Sequence, residues 1–172
     1  MIHPSVEEAI NVQINNEMAS CYNYLAMSAY FETTPYSGFA RWMRRQSEEE
    51  WIHAMKIYDY LNDRDGRIVL QRIPEPPRSY DSALEVFQES LVQEQSVTIQ
   101  INELYEIAWR EKDYSTVDFL GFFLEEQVEE EKTAQDMVDR LSFAGDSAAA
   151  LLQLDTEAGT RERGESEDQP DV

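Results

Sequence analysis

The sequence lacks the features that would tie it to a disulfide framework, a membrane or a nucleic acid. Its single cysteine, Cys21, cannot form an intrachain disulfide or a CxxC metal site, so any bound metal must be held by oxygen and nitrogen. No segment approaches the roughly 18 consecutive apolar residues of a transmembrane helix. Lysine and arginine total 14 against 35 acidic residues, and the formal net charge of −21 disfavours nucleic acids and anionic lipids as partners. The charge favours cations instead.

The length and composition suit a single domain. The chain has 172 residues, 42% of them apolar, which is enough for one continuous core. We expect this domain to cover residues 1–158. Residues 159–172 are acidic and poor in apolar side chains, a composition that predicts a disordered tail. The N-terminal sequence MIHPSVEEAI has neither the basic nor the apolar region of a signal peptide, which predicts a cytoplasmic protein.

Four long stretches without proline predict four helices, followed by a short fifth helix. The approximate predicted ranges are 5–32, 38–62, 83–111, 115–143 and 147–158. Ser5 with Glu8, and Ser82 with Glu85, have the spacing of capping boxes, in which side chains satisfy backbone N–H groups at a helix start. Asp146 is the expected cap of the fifth helix.

The connection between the second and third helices fixes the topology. Pro74, Pro76 and Pro77 fall within four residues, so this segment must be extended. About 16 residues at roughly 3.3 Å each reach some 53 Å, which is longer than a helix of about 27 residues. The second and third helices can therefore run parallel. The prediction is an all-α four-helix bundle with one long crossover, plus a short fifth C-terminal helix.

Each long helix places at least one ionisable group in its apolar stripe. At a rise of about 1.5 Å per residue, these groups fall within roughly one helical turn of a common height. Buried, unpaired carboxylates are costly, so four of them together require a compensating cation. The residues are Glu17 in the first helix, Glu50 and His53 in the second, Glu94 in the third, and Gln127 and Glu130 in the fourth.

Glu50 and His53 form an E-x-x-H motif, which presents a carboxylate and an imidazole on one helix face. Alone, this spacing often arises by chance on a charged helix, but the matched heights of the other carboxylates favour a metal site. Oxygen ligands with one imidazole suit Fe(II), Mn(II) or Zn(II), and paired metals about 3.5 to 4 Å apart often share a carboxylate. We expect Glu50 to bridge two metals. One metal would have Glu17, Glu50 and His53 as ligands, and the other Glu50, Glu94 and Glu130, with Gln127 nearby.

Several segments resemble bacterial non-haem ferritins, over roughly residues 3–158. They are NNEMASCYNYLAMSAYF, RRQSEEEWIHAMKIYDYL, FQESLVQEQ, INEL and FFLEEQVEEEK. The resemblance implies a ferritin-like fold and ferroxidase activity, in which Fe(II) is oxidised by O2 or peroxide at a di-iron centre. It also implies storage of ferric mineral inside a shell of identical subunits, expected to be a 24-mer. It further implies a redox-active Tyr24 beside the centre and a third iron site lined by Glu49, Glu126, Glu129 and Glu130.

Two positions distinguish this chain from bacterioferritins, which it also resembles. Bacterioferritins carry a second E-x-x-H motif in the fourth helix and a haem-ligating methionine just before the histidine of the second helix. In this sequence, Glu130 occupies the position of the histidine in that fourth-helix motif, and Ile52 occupies the position of the methionine. We therefore expect no haem. Two other functions remain open, namely a di-metal oxidase or oxygenase acting on an organic substrate, and an acidic interaction bundle without metal. Tyr24 could also be an ordinary core tyrosine, and the third-site acids a solvated face.

Overall fold

The computed structural model of the chain describes residues 2–160, and this part is all-α, with five helices and no strand. The helices are α1 Pro4–Phe31, α2 Ser37–Asp63, α3 Ala83–Arg110, α4 Tyr114–Ala144 and α5 Ala148–Ala158. The predicted four long helices and short fifth helix are confirmed. None of these helices is both long enough and apolar enough to span a bilayer. Nearly all of the predicted tail, residues 161–172, lies outside the described residues.

Contacts between the helices give their directions. Ser28 Oγ donates to the carbonyl of Ala40 and Ser47 Oγ to that of Cys21, so α1 and α2 are antiparallel. Phe31, near the end of α1, packs against Phe87 near the start of α3. Because α1 is antiparallel to both helices, α2 and α3 are parallel, as the long crossover predicts.

The crossover runs without helix or strand from Gly66 to Ser82. Asn11 and Asn15, one turn apart on α1, hold its first part by side-chain hydrogen bonds. Asn11 Nδ2 donates to the carbonyl of Arg67, and its Oδ1 accepts from the Val69 amide. Asn15 Nδ2 donates to the carbonyl of Val69, and its Oδ1 accepts from the Gln71 amide. These bonds replace the backbone partners that an extended chain outside a sheet lacks.

Two helix caps differ from prediction. His3 caps α1 in place of Ser5, two positions earlier, because Pro4 lacks an N–H group and suits the first position of the helix. Ser147 caps α5 in place of Asp146 and accepts from the Ala150 amide. The cap of α3 is confirmed, because Ser82 Oγ accepts from the Glu85 amide.

The core divides into two apolar clusters at opposite ends of the bundle. The aromatic end is built around Phe31, Phe39, Trp42 and Phe87. The aliphatic end contains Ile10, Ile14, Ile57, Leu61 and Ile101, together with Leu120 and Phe123. Buried polar residues lie between the two clusters, so they are separated from solvent along the bundle in both directions.

The fifth helix docks on the N-terminus of α2, for which no side chain of α2 itself supplies a cap. Asp155 Oδ1 accepts a 2.7 Å hydrogen bond from the Phe39 amide, which places a carboxylate at the positive end of the helix dipole. Gly38 permits this approach, because a Cβ atom there would lie 1.7 Å from the Asp155 carbonyl oxygen.

Candidate metal centre

The polar layer between the two clusters contains the residues that the sequence pattern singled out. All but Glu130 are almost fully removed from solvent. Glu17 and Glu94 are each 1% exposed, Glu50 is 3% exposed, and His53 and Gln127 are each 4% exposed. The predicted burial is confirmed for these five residues but is wrong for Glu130, which is half-buried.

Glu17, Glu50 and His53 converge from α1 and α2. One ligand atom from each lies within 4.8 Å of the others, and they form the one such group of acidic, histidine and cysteine side chains found among residues 2–160. Glu17 Oε2, Glu50 Oε2 and His53 Nε2 are buried and have no hydrogen-bond partner. Glu50 Oε2 also lies 3.7 Å from His53 Nδ1, so the carboxylate and the imidazole form an ion pair when the imidazole is protonated. Buried polar atoms without hydrogen-bond partners are costly, so three converging side chains that each carry one suit a cation.

Glu94 lies on the opposite side of the layer and is held by protein donors. The Tyr24 hydroxyl donates to Glu94 Oε1 and also contacts Ser90 Oγ, 2.9 Å away. Gln127 Nε2 donates to the backbone carbonyl of Glu94 at 3.1 Å and approaches its Oε2 at 3.4 Å. Three helices therefore fix this carboxylate in place.

Glu130, on α4, is half-buried and lies outside the tight group formed by Glu17, Glu50 and His53. Its Oε2 accepts a 3.1 Å hydrogen bond from Gln46 Nε2. Glu130 is nevertheless close enough to the centre that its charge contributes to the raised pKa of both Glu50 and Tyr24.

The protonation of the centre reflects its crowding. Burial, followed by the charges of Glu94 and Glu17, raises the pKa of Glu50 well above its ordinary value. Burial also raises the pKa of Glu94 to about 7, although hydrogen bonds from Tyr24 and Gln127 oppose the shift. Burial and the charge of Glu94 raise the pKa of Tyr24. A divalent cation can therefore displace protons from these carboxyl groups as it binds.

The acids of the expected third iron site differ in their surroundings. Glu49 is buried, Glu126 and Glu130 are half-buried, and Glu129 is exposed. Within the described part of the chain, these four residues do not form a group as tight as that of Glu17, Glu50 and His53. The third site therefore stays a prediction.

Two glutamines that hold predicted ligand carboxylates were not identified as site residues from the sequence. Gln13 Nε2 donates to Glu17 Oε1 at 2.7 Å, and Gln46 holds Glu130 as described above. The spacing of Gln13 and Glu17, four residues apart on one helix, is a signal that the sequence carries. Gln46 and Glu130 lie 84 positions apart, so only the fold reveals their contact.

Known proteins identify the class to which this fold and site belong. The Ferritin-like domain matches residues 7–144. The chain therefore belongs to the ferritin family of iron-storage proteins.

Individual relatives cover almost the whole chain. It is 42% identical over 161 residues to the bacterial non-heme ferritin of Staphylococcus haemolyticus, a match that covers 94% of this chain and 97% of that protein. The ferritin of the same description from Staphylococcus saprophyticus is 39% identical over 167 residues, 97% of this chain and 100% of the relative.

Solved structures agree with the fold. An open pore ferritin from the hyperthermophilic archaeon Archaeoglobus fulgidus superposes with a TM-score of 0.92 at 44% identity, covering 94% of this chain and 100% of that one. A humanized archaeal ferritin gives a TM-score of 0.93 at 43% identity, covering 95% and 99% of the two chains.

Proposed function

We propose that this ferritin subunit oxidises Fe(II) at a two-metal centre inside its own bundle. The observation that carries the proposal is the trio of unsatisfied buried atoms on Glu17, Glu50 and His53. These three side chains supply two carboxylate oxygens and one imidazole nitrogen to the first Fe(II) ion, a donor set that suits this metal. Glu50 would also bridge to the second ion, which Glu94 and Glu130 complete, with Gln127 nearby.

The reaction needs two metals because O2 is reduced by electron pairs. Two Fe(II) ions release one electron each, and O2 takes both electrons with two protons to form hydrogen peroxide. When hydrogen peroxide is the oxidant, two electrons and two protons convert it to two water molecules. The Glu50 and Glu94 carboxyl groups hold protons in the iron-free centre and release them as the cations bind. The apolar clusters on either side limit access of bulk water.

A titration with Fe(II) tests this proposal. Aerobic addition to the iron-free protein should give fast oxidation of two ions per subunit, followed by slower uptake of further iron. Size-exclusion chromatography with iron counted per subunit should then show iron within an assembly many times the mass of one subunit. A fast phase that ends at one ion per subunit would contradict the two-metal centre, and iron lost from the assembly would contradict storage.

We further propose that the assembly is a 24-subunit shell. The subunit leaves apolar side chains exposed that a second copy of the chain would cover, above all Phe143 at the end of α4, which is 96% exposed. Phe143 and Leu154 line a groove between α4 and α5. Phe143→Asp should weaken assembly without unfolding the bundle, and sedimentation would detect smaller species.

The third iron site, which Glu49, Glu126, Glu129 and Glu130 would line, receives iron that leaves the two-metal centre. Its support is the acidic character of this part of α2 and α4. Glu129→Ala should therefore preserve the fast phase and slow later uptake. An unchanged later phase would remove the reason to assign the site.

Three further expectations concern haem, the cellular location of the protein and its C-terminal residues. We expect no haem, because Ile52 offers no ligand atom, and hemin added to the protein should show no Soret shift. We also expect a cytoplasmic location, which fractionation would test. Residues 159–172 form a dispensable tail, because their composition offers little apolar area to offset the entropy of ordering. Truncation after Thr160 should leave melting temperature and assembly unchanged.

A further inference from the structure

A polar groove runs between α1 and α3 on one side of the bundle. It consists of two adjoining cavities, of about 280 Å³ and 330 Å³, whose linings share Asn16 and Gln100. The first cavity reaches Ser20 and Tyr80, which are only 5% and 8% exposed. The groove therefore extends below the surface of the bundle.

The first cavity is lined by side chains with buried polar atoms that the protein does not satisfy. Tyr80 Oη, Gln93 Nε2 and Gln100 Oε1 are buried and have no hydrogen-bond partner. The other ends of the two amides are held, because Gln93 Oε1 accepts from Asn23 and Gln100 Nε2 donates to Ser96 Oγ. Unsatisfied buried polar atoms are costly, so these side chains gain hydrogen bonds when water or a hydrated ion enters the groove.

One buried side chain joins the groove to the metal centre. Gln13, which is 2% exposed, lines the second cavity. Its Nε2 donates to Glu17 Oε1 at 2.7 Å, and Glu17 belongs to the group that could hold the first metal. A single amide side chain thus contacts both the groove and a predicted ligand.

The surroundings of the centre on other sides are less suited to a hydrated cation. The His53 ring meets Phe122 and Phe123 edge-on, with centroids 6.1 and 5.6 Å apart. Lys56 Nζ lies 3.7 Å from the centroid of the Phe122 ring, so a positive charge stands outside these rings. The two apolar clusters occupy the bundle toward both ends. Apolar rings offer no hydrogen bonds to an ion's water shell, and the lysine repels the ion.

The charges along the groove favour inward movement of a cation. Exposed acids line it near the surface, with Glu89 at the first cavity and Glu8 and Glu103 at the second. Acids that line a cleft raise the local concentration of cations. Neutral amides lie deeper, and the carboxylates of the metal centre lie beyond Gln13. An ion is therefore attracted at the surface but held tightly only at the centre.

We propose that the groove between α1 and α3 is the route by which hydrated Fe(II) reaches Glu17 from the subunit surface. Amide and hydroxyl groups of the groove bond the water shell of the ion, and Gln13 is the last side chain that the ion passes. This inference rests on the proposed binding of Fe(II) by Glu17, Glu50 and His53, but not on the second metal.

The rate of Co(II) binding to the metal-free, full-length protein tests the route without any oxidation. Asn16→Phe places a ring where the two cavities meet and should slow binding of the first ion about tenfold or more, the effect of about 1.4 kcal/mol added to the barrier. The equilibrium affinity should stay unchanged, because an obstacle on a route slows binding and release alike. Stopped-flow visible absorption measures the rate, and titration measures the affinity.

Two further variants control for the substitution itself. Asn16→Ala removes the same amide without filling the groove and should bind Co(II) at least as fast as wild type. Gln95→Phe adds the same ring at an exposed position of α3 that lines neither cavity, and should leave the rate unchanged. Melting of the metal-free variants shows whether each is folded.

An exposed acid of the groove gives a second test that does not disturb packing. Glu103→Gln should slow Co(II) binding by up to about tenfold at low ionic strength, and the difference should shrink in high salt. Glu106→Gln removes the same charge from an exposed position of α3 outside the groove and should have a smaller effect.

Several outcomes would overturn the route. They are an Asn16→Phe variant that binds as fast as wild type or as slowly as Gln95→Phe, a lower affinity without slower binding, and equal effects of Glu103→Gln and Glu106→Gln. Unchanged Co(II) binding in His53→Ala would instead overturn the metal centre. A wild-type protein that takes up one Co(II) ion at the normal rate but no second would overturn only the two-metal proposal.

Discussion

The two sides of the buried centre differ in how the protein satisfies their polar atoms. On the side of α1 and α2, Glu17, Glu50 and His53 each present an atom that has no hydrogen-bond partner. On the side of α3 and α4, protein donors hold Glu94 and Glu130. The first side is thus incomplete without a cation, whereas the second can exist in the metal-free protein with its hydrogen bonds made. We expect the first metal to bind more tightly, and the second to displace protons as it binds.

The largest expected effect comes from removing the imidazole of His53. His53→Ala takes away the only nitrogen ligand of the first side, and affinity for the first ion should fall by more than about 100-fold. Fast oxidation of two Fe(II) ions should disappear, as stopped-flow absorbance would show. The other histidine of the chain, His3, lies at the start of α1 with an exposed side chain, so His3→Ala is a matched control. Fast oxidation of two ions in His53→Ala would show that the site assignment is wrong.

The second test removes a carboxylate from the other side. Glu130→Ala should lower the affinity for the second ion by about 100-fold and leave the affinity for the first nearly unchanged. The centre would then bind one iron but could not reduce O2 by electron pairs. Stability of the metal-free protein should change little, because the lost bond to Gln46 is offset by the lost repulsion of Glu50.

Stopped-flow absorbance measures the effect of Glu130→Ala on iron oxidation, and melting of the metal-free variant measures its effect on stability. Glu125→Ala, which removes the same charge from an exposed position on α4, serves as the control. A structural role for Glu130 would give the reverse result, with a destabilised protein that oxidises iron at the normal rate.

A smaller effect concerns pH. Since the pKa of Glu94 is raised from 4.5 to about 7, the folded metal-free protein favours its protonated form. The resulting stability is fully present below pH 4.5 and is lost as the pH rises through 7, by at most a few kcal/mol. Melting temperature should therefore fall between pH 5 and 7.5 by more in wild type than in Glu94→Gln. Bound Co(II) should reverse the trend, because the metal requires the ionised carboxylate. An equal pH dependence in both proteins would contradict the assignment.

The sequence predicts the first side of the centre better than the second. Heptad-like spacing correctly placed Glu17, Glu50 and His53 in the core at one height, since helical periodicity alone decides those positions. It also predicted burial of Glu94. Glu130 is half-buried and accepts a hydrogen bond from Gln46, a contact between residues 84 positions apart that no local pattern encodes. The cap of α5 shows the same limit, because Ser147 and Asp146 are both good cap residues and the local sequence does not choose between them.

The smallest expected effect concerns Tyr24, whose hydroxyl contacts Ser90 and Glu94 on the better satisfied side. Tyr24→Phe removes one donor from Glu94, a loss of about 1 kcal/mol, so affinity for the second ion should fall by less than about tenfold.

In the proposed redox role, Tyr24 loses one electron to the oxidant while its phenolic proton passes to Glu94. Wild type should then give a tyrosyl radical signal by electron paramagnetic resonance after aerobic Fe(II) addition, and Tyr24→Phe should not. Tyr22→Phe, which changes an exposed tyrosine on the same helix, should keep the signal. A signal that persists in Tyr24→Phe would make Tyr24 a core tyrosine whose function is to hold Glu94.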